Sequence, residues 1–218
     1  MKDKNCYDIS VSQTGDLLIA RKDGLDIINT SNGEVIKSLP FDDLACSTVE
    51  VHNGTVLFSL NNHELQSKGF IVTLDAEYNE VRRWSIPFHI CDFTMVDNRL
   101  FLTLGKGQRS SNIEVYSLIG EELTSILWNG CIVGITGVQP HSIVYGDMDQ
   151  HRIYKKRILA GARGFEWTAD VKAPRCLCVD DNGLVWIRSN ANDCLTILNR
   201  DGKCANLLYF RKFHYHEW

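Results

Sequence analysis

Residues Pro174 to Gly202 read PRCLCVDDNGLVWIRSNANDCLTILNRDG and alternate short apolar runs with turn residues. The apolar runs are Leu177 to Val179, Leu184 to Ile187 and Leu195 to Leu198, and a fourth, Leu207 to Phe210, follows directly. Asp181-Asn182-Gly183 and Asn199-Arg200-Asp201-Gly202 have the composition of tight turns. The segment therefore predicts four short strands joined in sequence, within about forty residues.

The same unit recurs along the rest of the chain. The first turn falls at Gly15, Gly54, Asn98, His141 and Gly183, with separations of 39, 44, 43 and 42 residues. The second turn falls at Gly33, Asn79, Gly120, Gly161 and Gly202, with separations of 46, 41, 41 and 41 residues. Two landmarks that share a period of about 40 to 45 residues, with four strands in each period, are typical of a β-propeller.

The predicted fold class is therefore all-β, a propeller of about five four-stranded antiparallel blades. We expect a single propeller domain over residues 1–210, with blades at about 7–40, 47–85, 91–129, 131–169 and 174–210, and a C-terminal tail over 211–218. Large rings stand late in several units, at Trp84, Trp128, Trp167 and Tyr209-Phe210. We interpret them as packing between neighbouring blades rather than as a binding cage.

Composition sets limits on the class of protein. The 218 residues are 44% hydrophobic and 23% charged, which is ordinary for a globular chain. A net charge of −4 gives no global attraction to nucleic acid or to an anionic membrane. The sequence opens with charged residues and has no run of about 18 apolar residues, so we expect a cytoplasmic protein without a membrane segment. Its eight cysteines are then expected to be reduced thiols.

A family resemblance enters at residues 145–154, YGDMDQHRIY. This segment resembles the core of an NHL repeat, in which a strand ending in Asp precedes a short polar loop, then Asn or His, Arg and an apolar strand. The fifth unit resembles the same pattern through Ala173-Pro174 and the closing turn at 199–203, although Arg188 stands where the family usually has Asp.

The resemblance implies a propeller of six blades, often the C-terminal part of a tripartite-motif (TRIM) ubiquitin ligase. Five units are one short, so either the ring closes with five, or the chain belongs to an incomplete larger ring, or Arg211 to Trp218 adds a strand. The chain lacks the Cys/His spacing of a RING or B-box. We therefore expect no enzyme activity here, and any ligase activity of such relatives would reside outside these residues.

Five cysteines recur at nearly regular intervals, at Cys6, Cys46, Cys91, Cys131 and Cys176. They predict one thiol near the start of the innermost strand of every blade. Either the thiols form a ring that binds a soft metal or senses oxidants, or the converging strands simply favour small, mildly apolar side chains, which we prefer. Cys176 and Cys178 could join His214 and His216 in a zinc set, but nothing in the sequence brings these pairs together. We expect no metal and no cofactor.

Function in such a scaffold is expected on the loops that join second to third strands. The predicted partner-binding residues are Arg21, Lys22, His63, Lys106, Arg109, Asp147, Asp149, His151, Arg152, Arg188 and Asn190. This mainly basic rim predicts binding of a protein or peptide on the loop face. Single-stranded RNA is an alternative, less favoured because the loops contain no aromatic residue. A calcium-dependent hydrolase or lactonase is a second alternative, suggested by the acidic loop at 147–151.

Two further expectations concern surfaces. Self-association is expected if the ring is open, because an open ring leaves a blade face uncovered. The short basic run Lys155-Lys156-Arg157 is expected to be a solvated strand edge.

Overall fold

The structure is a computed structural model of the chain, and it describes residues 6–41, 44–52, 54–62, 68–105, 112–138, 140–159, 164–189 and 194–209. These ranges contain twenty strands. Within them, no helix is long and apolar enough to cross a membrane.

The strands form five four-stranded sheets, which we call blades one to five. Blade one consists of β1 (Cys6–Val11), β2 (Leu17–Arg21), β3 (Gly24–Ile28) and β4 (Val35–Pro40). Blade two consists of β5 (Leu44–His52), β6 (Thr55–Asn62), β7 (Gly69–Leu74) and β8 (Glu80–Ile86). Blade three consists of β9 (His89–Val96), β10 (Arg99–Gly105), β11 (Ile113–Ser117) and β12 (Glu122–Ile126). Blade four consists of β13 (Ile132–Val138), β14 (Ser142–Asp147), β15 (Arg152–Arg157) and β16 (Trp167–Asp170), and blade five of β17 (Pro174–Val179), β18 (Val185–Ser189), β19 (Cys194–Leu198) and β20 (Cys204–Tyr209).

In every blade each strand pairs antiparallel with the next strand of the chain, so that the spatial order follows the sequence. This arrangement confirms the predicted fold class, an all-β propeller with five four-stranded blades. The chain divides into two compact units, residues Met1–Asn129 with blades one to three and Gly130–Trp218 with blades four and five. The predicted single domain over residues 1–210 concerns how these units join and stays a prediction.

Tight turns hold the blades to this order. Asp97 and Asn98, with φ of 53° and 57°, form a two-residue hairpin between β9 and β10. Asn tolerates this left-handed backbone better than most residues, and glycine adopts it freely at the corresponding turn of blade five, where Gly183 has a φ of 74°. The landmarks that gave the sequence period are therefore the positions where the backbone needs a positive φ.

The first strand of each blade carries a β-bulge at the same place. One residue of that strand has no partner on the second strand, and these bulge residues are Tyr7, Ser47, Cys91, Val133 and Arg175. A bulge bends and twists its strand, as neighbouring blades around an axis require. The bulge also supplies a structural origin from which equivalent positions in different blades can be counted.

Apolar packing joins neighbouring blades within each unit. Leu25 of blade one and Phe58 of blade two belong to one buried cluster, and Ile71 of blade two and Phe93 of blade three to another. In the second unit, the cluster that contains Val144 of blade four continues through blade five. The cores therefore lie between the sheets, as expected for blades packed face to face.

The tryptophans that the structure places against turns confirm the predicted packing role. A Cβ atom on Gly120 would lie 2.7 Å from the Trp84 ring, and one on Gly202 would lie 2.6 Å from the Trp167 ring. Each ring thus covers a glycine in the second turn of the following blade, which no larger residue could occupy without a shift. The side chains of Tyr209 and Phe210 lie outside the described residues.

The prediction of a strand edge at Lys155-Lys156-Arg157 was wrong. These residues lie on β15, which pairs with both β14 and β16 and is therefore an inner strand of its sheet. Glu166 neutralises the run, since its carboxylate lies 2.9 Å from Lys155 Nζ and 3.0 Å from Arg157 Nε.

Candidate functional site

The loop that joins the second and third strands of blade one contains the predicted residues Arg21 and Lys22. Arg21 is only 8% exposed. Its Nη2 donates a hydrogen bond to Asp26 Oδ1 at 2.8 Å, and its Nη1 lies 2.9 Å from Asp23 Oδ1. Two carboxylates therefore compensate this guanidinium and hold the loop closed. Lys22 is exposed and lies beside it.

The corresponding loop of blade four is built around Asp147, which is fully buried. Its Oδ1 accepts the backbone N–H groups of Asp149 at 2.9 Å and Gln150 at 3.0 Å. The Tyr154 hydroxyl donates to Gln150 Oε1 at 2.7 Å and braces the same turn. Asp147 thus closes its own loop through bonds to the main chain, a structural use of the carboxylate.

His151 connects this loop to the segment that leads into blade five. Its Nδ1 accepts the N–H of Ala173 at 3.1 Å, and its carbonyl oxygen accepts the N–H of Val171 at 3.0 Å. An accepting Nδ1 carries no proton, so in this geometry the ring is the neutral tautomer. Arg152, the next residue, donates from Nε to Asp170 Oδ1 at 2.8 Å in an exposed ion pair.

The structure therefore brings Asp147, Asp149, His151 and Arg152 together in one loop of the second unit. Arg188 is exposed on β18 of the same unit, one blade further on. His63, Lys106, Arg109 and Asn190, together with the tail at 211–218, lie outside the described residues. Partner binding by the loop face stays a prediction for all of these positions.

The cysteines do not occupy equivalent positions, which corrects the predicted ring of thiols. Counted from the bulge, Cys6 and Cys46 lie one residue before it, Cys91 is the bulge residue, and Cys176 lies one residue after it, while Cys131 precedes β13. Alternate residues of a strand point to opposite faces, so these thiols do not share one direction. No group of three or more His, Cys, Asp or Glu residues suited to a metal occurs within the described ranges.

Burial also keeps some of these thiols protonated. It raises the pKa of the Cys46 thiol, and the nearby Asp8 carboxylate raises this pKa further. Burial likewise raises the pKa of Cys131, with Asp149 and Asp147 adding to the effect. A protonated thiol is a poor nucleophile and a poor metal ligand. These two residues are therefore suited to packing, as the preferred interpretation of the sequence expects.

Sequence reasoning missed three carboxylates on the first strands of the first unit, Asp8, Glu50 and Asp92. Asp8 Oδ1 and Oδ2 accept the N–H groups of Ile9 and Val49, each at 2.9 Å. Glu50 Oε1 accepts the N–H of Met95 at 3.0 Å. Asp92 Oδ1 accepts the N–H of Phe93 at 2.9 Å.

These three side chains satisfy donors on strands that have only one neighbour in their sheet, which would otherwise present unpaired N–H groups. The signal was present in the sequence, since the three carboxylates are separated by 42 and 42 residues. Burial raises the pKa of Glu50 to about 8, and the charges of Asp92 and Asp8 contribute to the same shift.

A groove of about 440 Å³ opens between blades four and five, on the side of the first and second turns. Its lining residues are Gly137, Val138, Lys155, Trp167, Val179, Asp180, Asp181, Gly183, Val185 and Arg200. We call this cavity the turn-side groove. The loops of the predicted site lie at the other ends of these strands, so sequence reasoning did not assign this groove.

Hydrogen bonds fix the walls of the turn-side groove. Trp167 Nε1 donates to the Arg200 carbonyl oxygen at 2.8 Å, and Arg200 Nε donates to the Asn182 carbonyl oxygen at 2.8 Å. Asp180 Oδ1 accepts the N–H of Leu184 at 2.9 Å, and these bonds to the turn hold the pKa of Asp180 below its ordinary value. The groove is thus preformed by the two turns of blade five and the tryptophan of blade four.

Comparison with known proteins shows a propeller fold. No family model and no curated protein sequence matches the chain. A protein of unknown function from Bacteroides caccae superposes with a TM-score of 0.75 at 14% identity, over 95% of this chain and 82% of that one. Hsv2 of Kluyveromyces lactis gives 0.60 at 15% identity, over 94% of this chain and 64% of that one. Virginiamycin B lyase from Staphylococcus aureus gives 0.65 at 14% identity, over 96% and 86%.

At such identities the likeness establishes the fold alone, which is a β-propeller. The chain spans less than two thirds of the Kluyveromyces lactis Hsv2 chain. The sequence resemblance to NHL repeats is finer than these comparisons reach, and it stays a prediction.

Proposed function

We propose that this propeller is a non-enzymatic interaction module that binds an extended polypeptide segment in the turn-side groove. The observation that carries the proposal is the groove itself, a preformed cavity of about 440 Å³ with an apolar floor and a polar rim. Its size falls within the range of about 300 to 1,000 Å³ that is usual for ligand pockets.

The chemistry of the lining favours a peptide over a small charged ligand. Val138, Val179 and Val185 supply an apolar floor that suits one inserted side chain. Lys155 and Arg200 on the rim are balanced by Asp180 and Asp181, so the lining has no strong preference for either charge. A main chain with its own donors and acceptors matches such a mixed rim. Because the walls are already fixed by hydrogen bonds, binding costs little ordering of the groove.

Selection from a displayed library of random peptides on the immobilised chain tests the proposal. The selected peptides, labelled and measured by fluorescence anisotropy, should lose most of their affinity for Asp181→Arg, which reverses a charge at the rim. The matched control is Asp201→Arg, an exposed aspartate in the second turn of blade five that is not among the lining residues. Equal binding by the two variants, or a failure to select any peptide, would contradict the assignment.

The loop face is the second candidate for the same function, favoured by the sequence pattern. Arg21 and Arg152 on that face have carboxylate partners, so among the described positions Lys22 and Arg188 offer the most accessible positive charge. Charge reversal of these two lysine and arginine residues, measured with the same selected peptides, separates the two surfaces. Loss of binding in Lys22→Glu plus Arg188→Glu with retention in Asp181→Arg would assign the loop face instead.

Two finer forms of the proposal rest on the sequence. The NHL resemblance suggests substrate recognition for a TRIM-type ubiquitin ligase, whose catalytic domains would be supplied outside these residues. Single-stranded RNA on the loop face is the alternative, and it predicts binding of a labelled oligonucleotide that weakens steeply with salt. Absence of binding at low salt would remove the RNA alternative.

An enzyme function of the calcium-dependent type predicts that calcium raises the unfolding temperature and that a chelator lowers it. The use of Asp147 in closing its own loop supports a non-enzymatic role over this alternative. We also propose that the protein works in a reducing compartment such as the cytoplasm. Its eight cysteines are all unpaired and five of them are exposed, a state that persists where thiols stay reduced.

A further inference from the structure

Neighbouring blades meet through a fixed register. Asp8, one residue after the bulge of blade one, accepts the N–H of Val49, two residues after the bulge of blade two. Glu50, three residues after the bulge, accepts the N–H of Met95, four residues after the bulge of blade three. The first and third positions after a bulge therefore face the following blade, whereas the second and fourth positions face the preceding blade.

The second and fourth positions are apolar and buried where a blade precedes them in the same unit. In blade three they are Phe93 and Met95, which are 2% and 3% exposed and share a cluster with blade two. Val49 and Val51 occupy these positions in blade two and pack into the cluster shared with blade one. Blade five repeats the pattern with Leu177 and Val179, which pack against blade four.

Blade one carries the same apolar pattern at these positions, but there it is exposed. Ile9 and Val11 are 55% and 56% exposed. Their partners across the sheet, Ile19 and Leu17, are only partly buried. Isolated exposed apolar residues are common on protein surfaces. This set differs because it occupies the register that contacts a preceding blade elsewhere in the chain, and we call it the blade-one face.

Blade five presents the opposite half of the same contact. Cys176 and Cys178 lie one and three residues after its bulge and are exposed. Their cross-strand partners are Arg188, which is exposed, and Trp186, which is partly buried. The counterpart of Trp186 in blade four is Val144, which packs into the cluster shared with blade five. We call Cys176, Cys178, Trp186 and Arg188 the blade-five face.

We propose that the blade-one face of one copy of this chain docks against the blade-five face of a second copy. A single chain carries both halves of one blade-to-blade contact, each exposed, so a second copy supplies the missing partner in the correct register. Two such contacts related by a two-fold axis satisfy both faces of both chains, which is the usual symmetry of a homodimer. The thiols of the blade-five face act there as small apolar contacts.

The register predicts which residues meet. Within a unit, the first position of one blade lies against the second position of the next, and the third against the fourth. Cys176 of one copy should therefore lie beside Ile9 of the other, and Cys178 beside Val11. A disulfide requires Cα atoms closer than about 7 Å, so cross-linking is a sharp probe of this geometry.

Oxidation of Val11→Cys by diamide, followed by non-reducing electrophoresis and peptide mapping, tests the contact. We expect a covalent dimer with a bond between residues 11 and 178. The matched control is Ile119→Cys, whose site is 57% exposed but lies in the second turn of blade three. It should give no bond to residue 178. A bond between residues 11 and 178 within a single chain, or no such bond at all, would overturn the proposal.

Light scattering behind gel filtration provides the second measurement on the unmodified chain. The wild-type protein should elute at twice its mass of 24.8 kDa. Ile9→Lys plus Val11→Lys should return the mass to that of one chain, with an unchanged circular dichroism spectrum. Val81→Lys plus Ile119→Lys places the same charges at similarly exposed sites and should remain dimeric. A wild-type protein that is monomeric at every concentration refutes the inference.

Discussion

Replacing Glu50 with glutamine should stabilise the protein at pH 8 and leave its stability nearly unchanged at pH 5. Glutamine preserves the Oε1 acceptor that receives the N–H of Met95 at 3.0 Å and the Thr94 hydroxyl at 3.3 Å. It removes the titration of a carboxyl whose pKa is about 8 in the folded chain, against an ordinary value of 4.5. The effect therefore isolates the electrostatic cost of the carboxylate from its hydrogen bonds.

The sign follows from proton linkage. Between pH 4.5 and 8 the folded chain retains a proton on Glu50 that the unfolded chain releases, so wild-type stability falls as pH rises through this window. At 1.36 kcal/mol for each pH unit, the full difference corresponds to about 4 kcal/mol at pH 8 and below about 1 kcal/mol at pH 5. Glu50 is only partly buried, and screening by water reduces the expected gain at pH 8 to about 2 kcal/mol.

Urea unfolding of both proteins, followed by circular dichroism at pH 5 and pH 8, measures the gain. The control variant is Glu77→Gln, an exposed residue in the second turn of blade two, which should differ from wild type by less than about 0.5 kcal/mol at either pH. If Glu50→Gln differs from wild type by the same amount at pH 5 and pH 8, the carboxyl does not titrate as described.

Two further substitutions test the packing and the buried ion pair. Gly202→Ala should destabilise the protein by about 3 kcal/mol, because the new Cβ meets the Trp167 ring and the backbone φ is 76°, whereas Gly33→Ala, at a φ of 73° with open space around it, should cost only about 1 kcal/mol in the same thermal unfolding assay. Arg21→Ala should cost about 3 kcal/mol, because it leaves the Asp26 carboxylate buried without its cation, and Arg21→Lys should recover part of this; a loss under about 0.5 kcal/mol would show that the pair is dispensable.

The fold was predictable because its turns leave a clear mark on the sequence. Positions that require a positive φ, such as Gly15 and Gly183, select glycine or asparagine and so recur with the period of the blades. The cysteine pattern misled because a similar spacing does not imply the same register. Cys91 is a bulge residue while Cys176 follows one, and only the hydrogen-bond pairing reveals where each bulge lies.

The candidate site was less predictable, because charge in a sequence does not show whether it is already paired. Arg21 belongs to a basic loop on the page, yet in the structure it is held by Asp23 and Asp26. The turn-side groove depends on how Trp167 of blade four rests on the second turn of blade five, a contact between residues more than thirty positions apart. No local pattern indicates such a contact.

The same register argument keeps the two proposed binding surfaces independent. Asp181 lies in the first turn of blade five, beyond the end of β17, whereas Cys176 and Cys178 lie within that strand. A charge reversal at Asp181 should therefore abolish peptide binding without changing the solution mass. Lysine at Ile9 and Val11 should change the solution mass without weakening the peptide, because neither residue lines the groove. Loss of both properties in either variant would mean that peptide binding requires the dimer, and the groove would then be a property of the assembly.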